Sequence, residues 1–246
     1  MSQVPAASGT LFIVATPIGN LADITLRALE TLKAVARIAC EDTRQSLKLL
    51  NAYQIKKPLI SLHAHNEAER TPELIAQLKN GESIAMISDA GTPLISDPGR
   101  RLVAAAIREG IPVDSIPGPS AVLNALVLCG FPTDRFYFLG FLEAKSAARV
   151  RTFERLKDFP DSLVFFESPH RIDKFLGDAY QVLGNRGIAI AREMTKKFEE
   201  VYRGPLREKI ADYPLRSWKG EFVVVIQGSP SRKKGEKTLN HDDLTG

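Results

Sequence analysis

The chain is predicted to be an α/β protein built as two α/β domains, and three observations carry that expectation. Short apolar runs alternate with longer helical patterns from Thr10 to about Ile116, the grammar of a largely parallel sheet with helices on its faces. The run IPGPSA, starting at Ile116, then interrupts the alternation with two prolines and a glycine and marks a hinge. Beyond it, two neighbouring strand candidates are joined by only a short turn, so the second sheet is expected to be mixed. The limits read from these signals are residues 10–117 and 118–228, with a polar disordered tail at 229–246. No internal repeat is visible.

Each element follows from its local pattern. The first strand, LFIVA, runs into ATPIGNLADIT, a Gly/Pro turn feeding a helix for which Asp23 is the expected cap. The second, ARIAC, ends in the polar burst CEDTR. The third, PLISL, leads into LHAHNE, where His63 and His65 are expected to share one face of an extended segment. The fourth, SIAMIS, opens into ISDAGTPLISDPG, which packs two carboxylates, two glycines and two prolines behind an apolar strand. There Asp97 and Pro98 read as the N-cap and first residue of a helix whose apolar face is Leu102, Ala106 and Ile107, closed by Gly110. The fifth strand is PVDSI. A helix then runs from Ser120 to Cys129. The second domain offers the strands RFYFLG, SLVFFE, GIAIARE, EEVYRG and EFVVVIQ. Its first helix should bury Val150, Phe153 and Leu156. Its second, delimited by Ser168, Pro169 and Gly184, should bury Ile172, Phe175, Leu176, Ala179 and Leu183.

Composition narrows the function classes. Among 246 residues, 44% are apolar and 25% charged, as in ordinary globular proteins. No apolar run approaches the length that spans a bilayer, and MSQVPAASG lacks the pattern of an export signal, so no membrane role and a cytoplasmic location are expected. Cys40 and Cys129 sit in apolar settings and read as buried, reduced thiols. The net charge of +4 is a mild bias toward polyanions.

The motifs narrow them further. The first turn has only Gly19 where a dinucleotide fingerprint needs three glycines, and no Walker-type loop is present. In CEDTR, Glu41, Asp42 and Arg44 read either as a solvated ion pair or as an acid near substrate with Arg44 on a phosphate. His63 and His65 have a spacing seen in some metal hydrolases. Only His170 remains as a third ligand outside the tail, so polar contact with substrate is preferred and no metal is expected. Lys145, Arg149, Arg151, Arg155 and Lys157 along one helix read as a solvated face or as contacts to an RNA backbone. FESPHR repeats the strand-end logic with Glu167 and Arg171, and AREMTKKFEE ends the next strand in a similar polar burst. Ligands of open α/β sheets gather at the carboxyl ends of strands, and the crevice between the two domains is the expected site.

Taken together, VATPIGNLADITLRALE, CEDTR, HNE, SDAGTPLISDPG, IPGPSA, FLEAKS, FESPHR and AREMTKKFEE resemble the tetrapyrrole-methylase-like class of methyltransferases. The resemblance runs from about Leu11 to Gly228 and points to one branch, the ribosomal small-subunit methyltransferase I family, which methylates a cytidine ribose 2′-hydroxyl with S-adenosylmethionine. It implies a homodimer acting on small-subunit ribosomal RNA or an assembled 30S-type subunit. It implies cofactor contacts from Pro17, Asp89, Ala90, Gly91, Thr92, Ile95, Ser120, Ala121, Glu167 and Met194. Asp42 is the first candidate for taking the hydroxyl proton and Glu167 the second. Arg44, His65, Asn66, Lys145, Arg151 and Arg171 are the candidates for RNA contact. Relatives often carry proline where Glu143 stands and more basic residues after Lys145. The rival readings are a methyltransferase of the same fold acting on a tetrapyrrole carbon, and a non-catalytic RNA-binding module.

Overall fold

The computed structural model describes residues 8–211 and 219–230; most of the expected tail, from residue 231 onward, lies outside these. The chain groups into two compact units. Among these described residues, one unit takes 8–124 together with Glu193–Glu199, and the other takes Ala125–Arg192, 200–211 and 219–230. The first turn of the Ala121–Cys129 helix and the Glu193–Glu199 segment therefore associate with the first unit, which the hinge at IPGPSA did not anticipate.

The first unit is a five-stranded sheet of β1 (Leu11–Val14), β2 (Arg37–Cys40), β3 (Leu59–Ser61), β4 (Ile84–Ile87) and β5 (Val113–Ile116), in the order β3-β2-β4-β1-β5. Every pairing is parallel. Alternation along the strands explains the double-sided burial. Ile84 and Met86 of β4 enter one apolar cluster with Leu11 and Ile13, while Ala85 and Ile87 enter another with Val14 and Ile38. Helices α1 (Leu26–Ala34) and α2 (Thr43–Ala52) cover the second face through Ala28, Leu32 and Leu50. The first face is covered by α3 (Glu67–Lys79) and α4 (Arg100–Arg108), through Leu74, Leu78, Leu102 and Ala106.

Three local expectations are corrected here. Asp23 caps nothing: Leu21–Asp23 is a short 3-10 turn capped by Asn20, and α1 starts one turn later on Thr25, whose hydroxyl accepts from Ala28 N–H. Ile107 is 65% exposed, and Ala105 takes its place on the buried face of α4. Asp97 and Pro98 do not begin that helix; its N-cap is Gly99, in the left-handed region with φ 119°.

The second unit holds β6 (Phe136–Gly140), β7 (Ser162–Glu167), β8 (Gly187–Arg192), β9 (Glu200–Pro205) and β10 (Phe222–Ile226), ordered β6-β7-β10-β8-β9. Only β6–β7 is parallel, so the sheet is mixed as expected. Its core joins Leu163, Phe165, Ile188, Ile190 and Val224 to α6 (Ser146–Arg155), α7 (Ile172–Leu183) and α8 (Leu206–Ala211). Phe153, Phe165 and Phe175 pack edge to face at its centre, with ring centroids 5.1–5.9 Å apart. All five residues expected on the inner face of α7 are buried, although the helix starts at Ile172 and Ser168–Arg171 form a turn before it. Helix α5 is Ala121–Cys129. Cys40 and Cys129 are free and buried.

The basic helix differs from expectation at one residue. Arg149 is only 1% exposed, its guanidinium 2.6 Å from Asp178 and donating to the carbonyls of Glu143 and Ala144. It belongs to the core of the second unit, with Thr152 beside it, and Val150 is only half-buried.

Candidate active site

Because all five strands of the first sheet run the same way, the loops that follow them leave from one edge. That edge carries Pro17 after β1, Glu41–Arg44 after β2, His63–Asn66 after β3, Asp89–Ile95 after β4 and Ser120–Ala121 after β5. Hydrogen bonds tie the loops to one another. Thr16 and Gly91 exchange backbone hydrogen bonds of 2.9 and 3.0 Å, and the buried Thr16 hydroxyl donates to Ser88 O. The Thr92 hydroxyl donates to Pro119 O at 3.2 Å. Gly91 has φ 78°, and a side chain there would press on Ile18 Cγ2 at 3.3 Å, so only glycine brings the two backbones together without strain.

The segment Glu193–Glu199 completes this unit. The Thr195 hydroxyl accepts from Asn20 N–H at 3.0 Å, and a Cβ on Gly19 would lie 2.9 Å from Met194 O. Met194 itself is buried. Of the five non-glycine residues in the left-handed region among the described residues, four fall in these same loops, Leu94, Ser96, Glu193 and Thr195, and the fifth, Gln54, follows α2. Backbone held in sparsely populated regions marks places where the surroundings over-determine the chain, functional loops among them.

The edge is acidic. Burial, then the charges of Glu41 and Asp89, push the Asp97 carboxyl up to about 6, against a hydrogen bond with Ser88. Burial also raises Glu41 and Asp89. Asp42 goes the other way: its carboxylate accepts from the Arg44 guanidinium and backbone, which hold it below the ordinary carboxylate range. Arg44 is otherwise open to water, with 87% of its side chain exposed.

His63 and His65 lie in a turn rather than on an extended strand, with their rings edge to face at 6.0 Å. The strand stops at Ser61 because Asn66 captures its end: Asn66 Oδ1 accepts from His63 N–H and Nδ2 donates to Ser61 O. Asn66, a candidate RNA contact, thus spends its amide inside the turn, while His65 stays exposed. No group of three or more His, Cys, Asp or Glu that could hold a metal occurs among the described residues.

In the second unit Glu167 ends β7 and is 2% exposed. Burial raises its pKa, against a hydrogen bond from Ser168 N–H and the charge of Arg171. Its Oε1 faces the Arg171 guanidinium at 3.4 Å and has no hydrogen-bond partner. Arg171 also donates to the carbonyls of Leu142 and Glu143, so most of this candidate RNA contact is spent on the FLEAKS loop. Lys145 and Arg151 are exposed, and a groove of about 550 Å³ beside α6 is lined by Arg151 and Arg155 together with Glu143, Glu154, Thr152 and Ala148.

Two residues on the first edge lie inside quoted motifs yet receive no role from the sequence, Thr16 and Glu67. Both are polar yet buried, and both satisfy backbone groups of the β4–α4 loop. The signal for Glu67 was indirect, because Gly99 has no side chain with which to cap the helix it opens.

An all-parallel first sheet with a bridged, glycine-bearing edge and a mixed second sheet define a two-unit α/β protein with its candidate site on the carboxyl edge of the first sheet. Residues 10–210 match the family profile described as Tetrapyrrole (Corrin/Porphyrin) Methylases, and the chain belongs to that family. Among solved structures, a diphthine synthase aligns with a TM-score of 0.70 at 15% identity, over 89% of this chain and 90% of that one. A uroporphyrin-III C-methyltransferase from Thermus thermophilus, complexed with S-adenosylhomocysteine, aligns with a TM-score of 0.62 at 16% identity, over 88% and 97%. The sequence relatives are far nearer. A protein from Mesorhizobium japonicum named ribosomal RNA small subunit methyltransferase I is 50% identical over 99% of this chain and 83% of its own length. Its namesake from Thermotoga maritima is 48% identical over 89% and 99%. No helix among the described residues is long and apolar enough to cross a membrane.

Proposed function

We propose that this methyltransferase transfers a methyl group from S-adenosylmethionine to the 2′-hydroxyl of a cytidine ribose in small-subunit ribosomal RNA. The observation that carries the reading is identity of about half over nearly the whole chain to proteins named for that ribosomal RNA activity. In the balanced reaction the ribose oxygen gains the methyl, the donor leaves as S-adenosylhomocysteine, and the hydroxyl proton goes to a base or to water. We assign the donor to the loops of the first unit, with contacts from Pro17, Asp89, Ala90, Gly91, Thr92, Ile95, Ser120, Ala121 and Met194.

The edge fits such a group chemically. S-adenosylmethionine carries a sulfonium and an ammonium against one carboxylate, and an edge bearing Glu41, Asp42, Asp89 and Asp97 attracts a net cation. When bound, the donor supplies a methyl already attached to a good leaving group. The protein's task is then to align the acceptor oxygen and manage its proton. Glu167, held toward the protonated form by burial and with an oxygen that faces Arg171 but accepts no hydrogen bond, is the better acceptor by proton affinity. Asp42, spent on Arg44, is assigned to fixing that guanidinium for an RNA phosphate.

Arg44, His65, Lys145 and Arg151 are the proposed RNA contacts; all four are exposed. A cytoplasmic homodimer acting on small-subunit ribosomal RNA or on the assembled subunit is the proposed setting. The test is incubation of the protein with labelled S-adenosylmethionine and either naked ribosomal RNA or assembled subunits, followed by nucleoside mass spectrometry. The expected product is a 2′-O-methylcytidine. Methylation of a tetrapyrrole instead would favour the second reading, which the solved relatives of the same fold keep in view.

A further inference from the structure

We propose that Glu67 is a positioning residue for the methyl donor, acting from outside the cofactor loop by holding the loop's far end. The proposal rests on the assignment of the donor to the β4–α4 loop. Helix α4 opens on Gly99, which has no side chain to satisfy the first free N–H groups of the helix. Glu67 supplies the missing acceptor from 32 residues upstream. Its Oε1 accepts from Gly99 N–H at 3.2 Å and from Arg101 N–H at 2.6 Å, and the side chain is buried at 8% exposure.

The turn before α3 aims it. Asn66 closes the chain back on Ser61 and His63, Glu67 N–H donates to His63 O at 3.0 Å, and the Thr71 hydroxyl donates to Glu67 O at 2.7 Å. This gives the motif HNE a physical account: asparagine folds the turn, and glutamate reaches across to the neighbouring loop. The carboxylate also faces the positive end of the α4 dipole, which strengthens the contact.

The β4–α4 loop is therefore gripped at two ends. Thr16 and Pro119 hold its start at Ser88–Thr92, and Glu67 holds its exit at Gly99–Arg101. Between the grips lie Leu94 and Ser96, with φ of 72° and 69°, a backbone that persists only where its surroundings impose it. Substitution of Gly99 cannot move the cap into the loop itself, because a Cβ there would collide with Met86 and its φ disfavours any side chain. Releasing the exit lets the strained tip relax and spoils the preformed surface on which the donor rests.

The experiment is calorimetric titration of S-adenosylhomocysteine into wild type, Glu67→Ala, Glu67→Gln and Gly91→Ala, with hydrogen exchange over residues 97–103. Glu67→Ala is expected to weaken the ligand about tenfold, the scale of a lost hydrogen bond to a charged group. It should raise KM for S-adenosylmethionine while leaving kcat at saturating donor within about twofold, the split a positioning role requires. Exchange at Gly99 and Arg101 should quicken. Glu67→Gln, which keeps the single accepting oxygen, is expected to restore affinity to within about threefold and covers the case in which the alanine variant folds poorly. Unchanged affinity in Glu67→Ala, or no rescue by glutamine, would overturn the proposal. If Gly91→Ala also leaves affinity unchanged, the placement of the donor on this edge fails as well; if only Gly91→Ala weakens binding, the failure belongs to Glu67 alone.

Discussion

Asp97→Asn should stabilise the protein at neutral pH and do nothing at pH 4. The Asp97 carboxyl is raised from 3.8 to about 6, chiefly by burial and then by the charges of Glu41 and Asp89. An acid raised on folding binds its proton more tightly in the native state, so stability falls as pH climbs from about 4 to about 6 and the full penalty stands above that. At 1.36 kcal/mol for each tenfold change in proton affinity, the ceiling is about 3 kcal/mol. Asp97 remains partly in contact with water, which screens the charge, and the expected gain for asparagine at pH 7.5 is about 1 kcal/mol. That corresponds to a Tm rise of about 2–4 °C in a chain of this length. The Ser88 hydroxyl can still donate to the asparagine oxygen, so the hydrogen bond is kept. Urea unfolding of both proteins at pH 4, 6 and 7.5 measures the difference. A gain of equal size at pH 4 and 7.5, or none at 7.5, would refute the assignment of the penalty to a buried charge.

Further outcomes follow from named contacts. Arg149→Ala leaves Asp178 facing the core of the second unit without its partner and should cost about 3–5 kcal/mol in urea unfolding, whereas Arg149→Met with Asp178→Leu should lose much less. Phe175→Ala removes one ring of the Phe153–Phe165–Phe175 cluster and should cost about 3–5 kcal/mol by the same measurement. Glu167→Gln should lower the single-turnover methylation rate about 10²-fold at saturating donor, and Asp42→Asn less than tenfold; the reverse order would make Asp42 the proton acceptor. Removing Arg151 should shallow the salt dependence of RNA binding by about one counterion without changing donor affinity.

Much of the fold was legible because strand and helix periodicities were clean. The short apolar runs at LFIVA, ARIAC and SIAMIS read as strands because helix patterns alternate with them, and the 3.6-residue spacing of Ile172, Phe175, Leu176, Ala179 and Leu183 fixed the inner face of α7. Helix starts were read less well, because capping depends on which polar group reaches the free N–H. Asn20 and Thr25 outcompeted Asp23, and at Gly99 the cap came from Glu67, 32 residues away. The edge residues were legible as a set, since strand ends in a parallel sheet share one edge. Their individual chemistry was not. Arg149 looked like part of a basic face until its guanidinium was found on Asp178 and two carbonyls, and Asn66 looked available until both ends of its amide were found in the turn. Long-range partners of this kind leave no local pattern.

The placement of the donor is tested most directly by a crystal structure of the protein with S-adenosylhomocysteine. The ligand is expected against Gly91, Thr92, Ser120 and Met194 on the carboxyl edge of the first sheet. A ligand bound elsewhere, with these four residues untouched, would contradict the assignment.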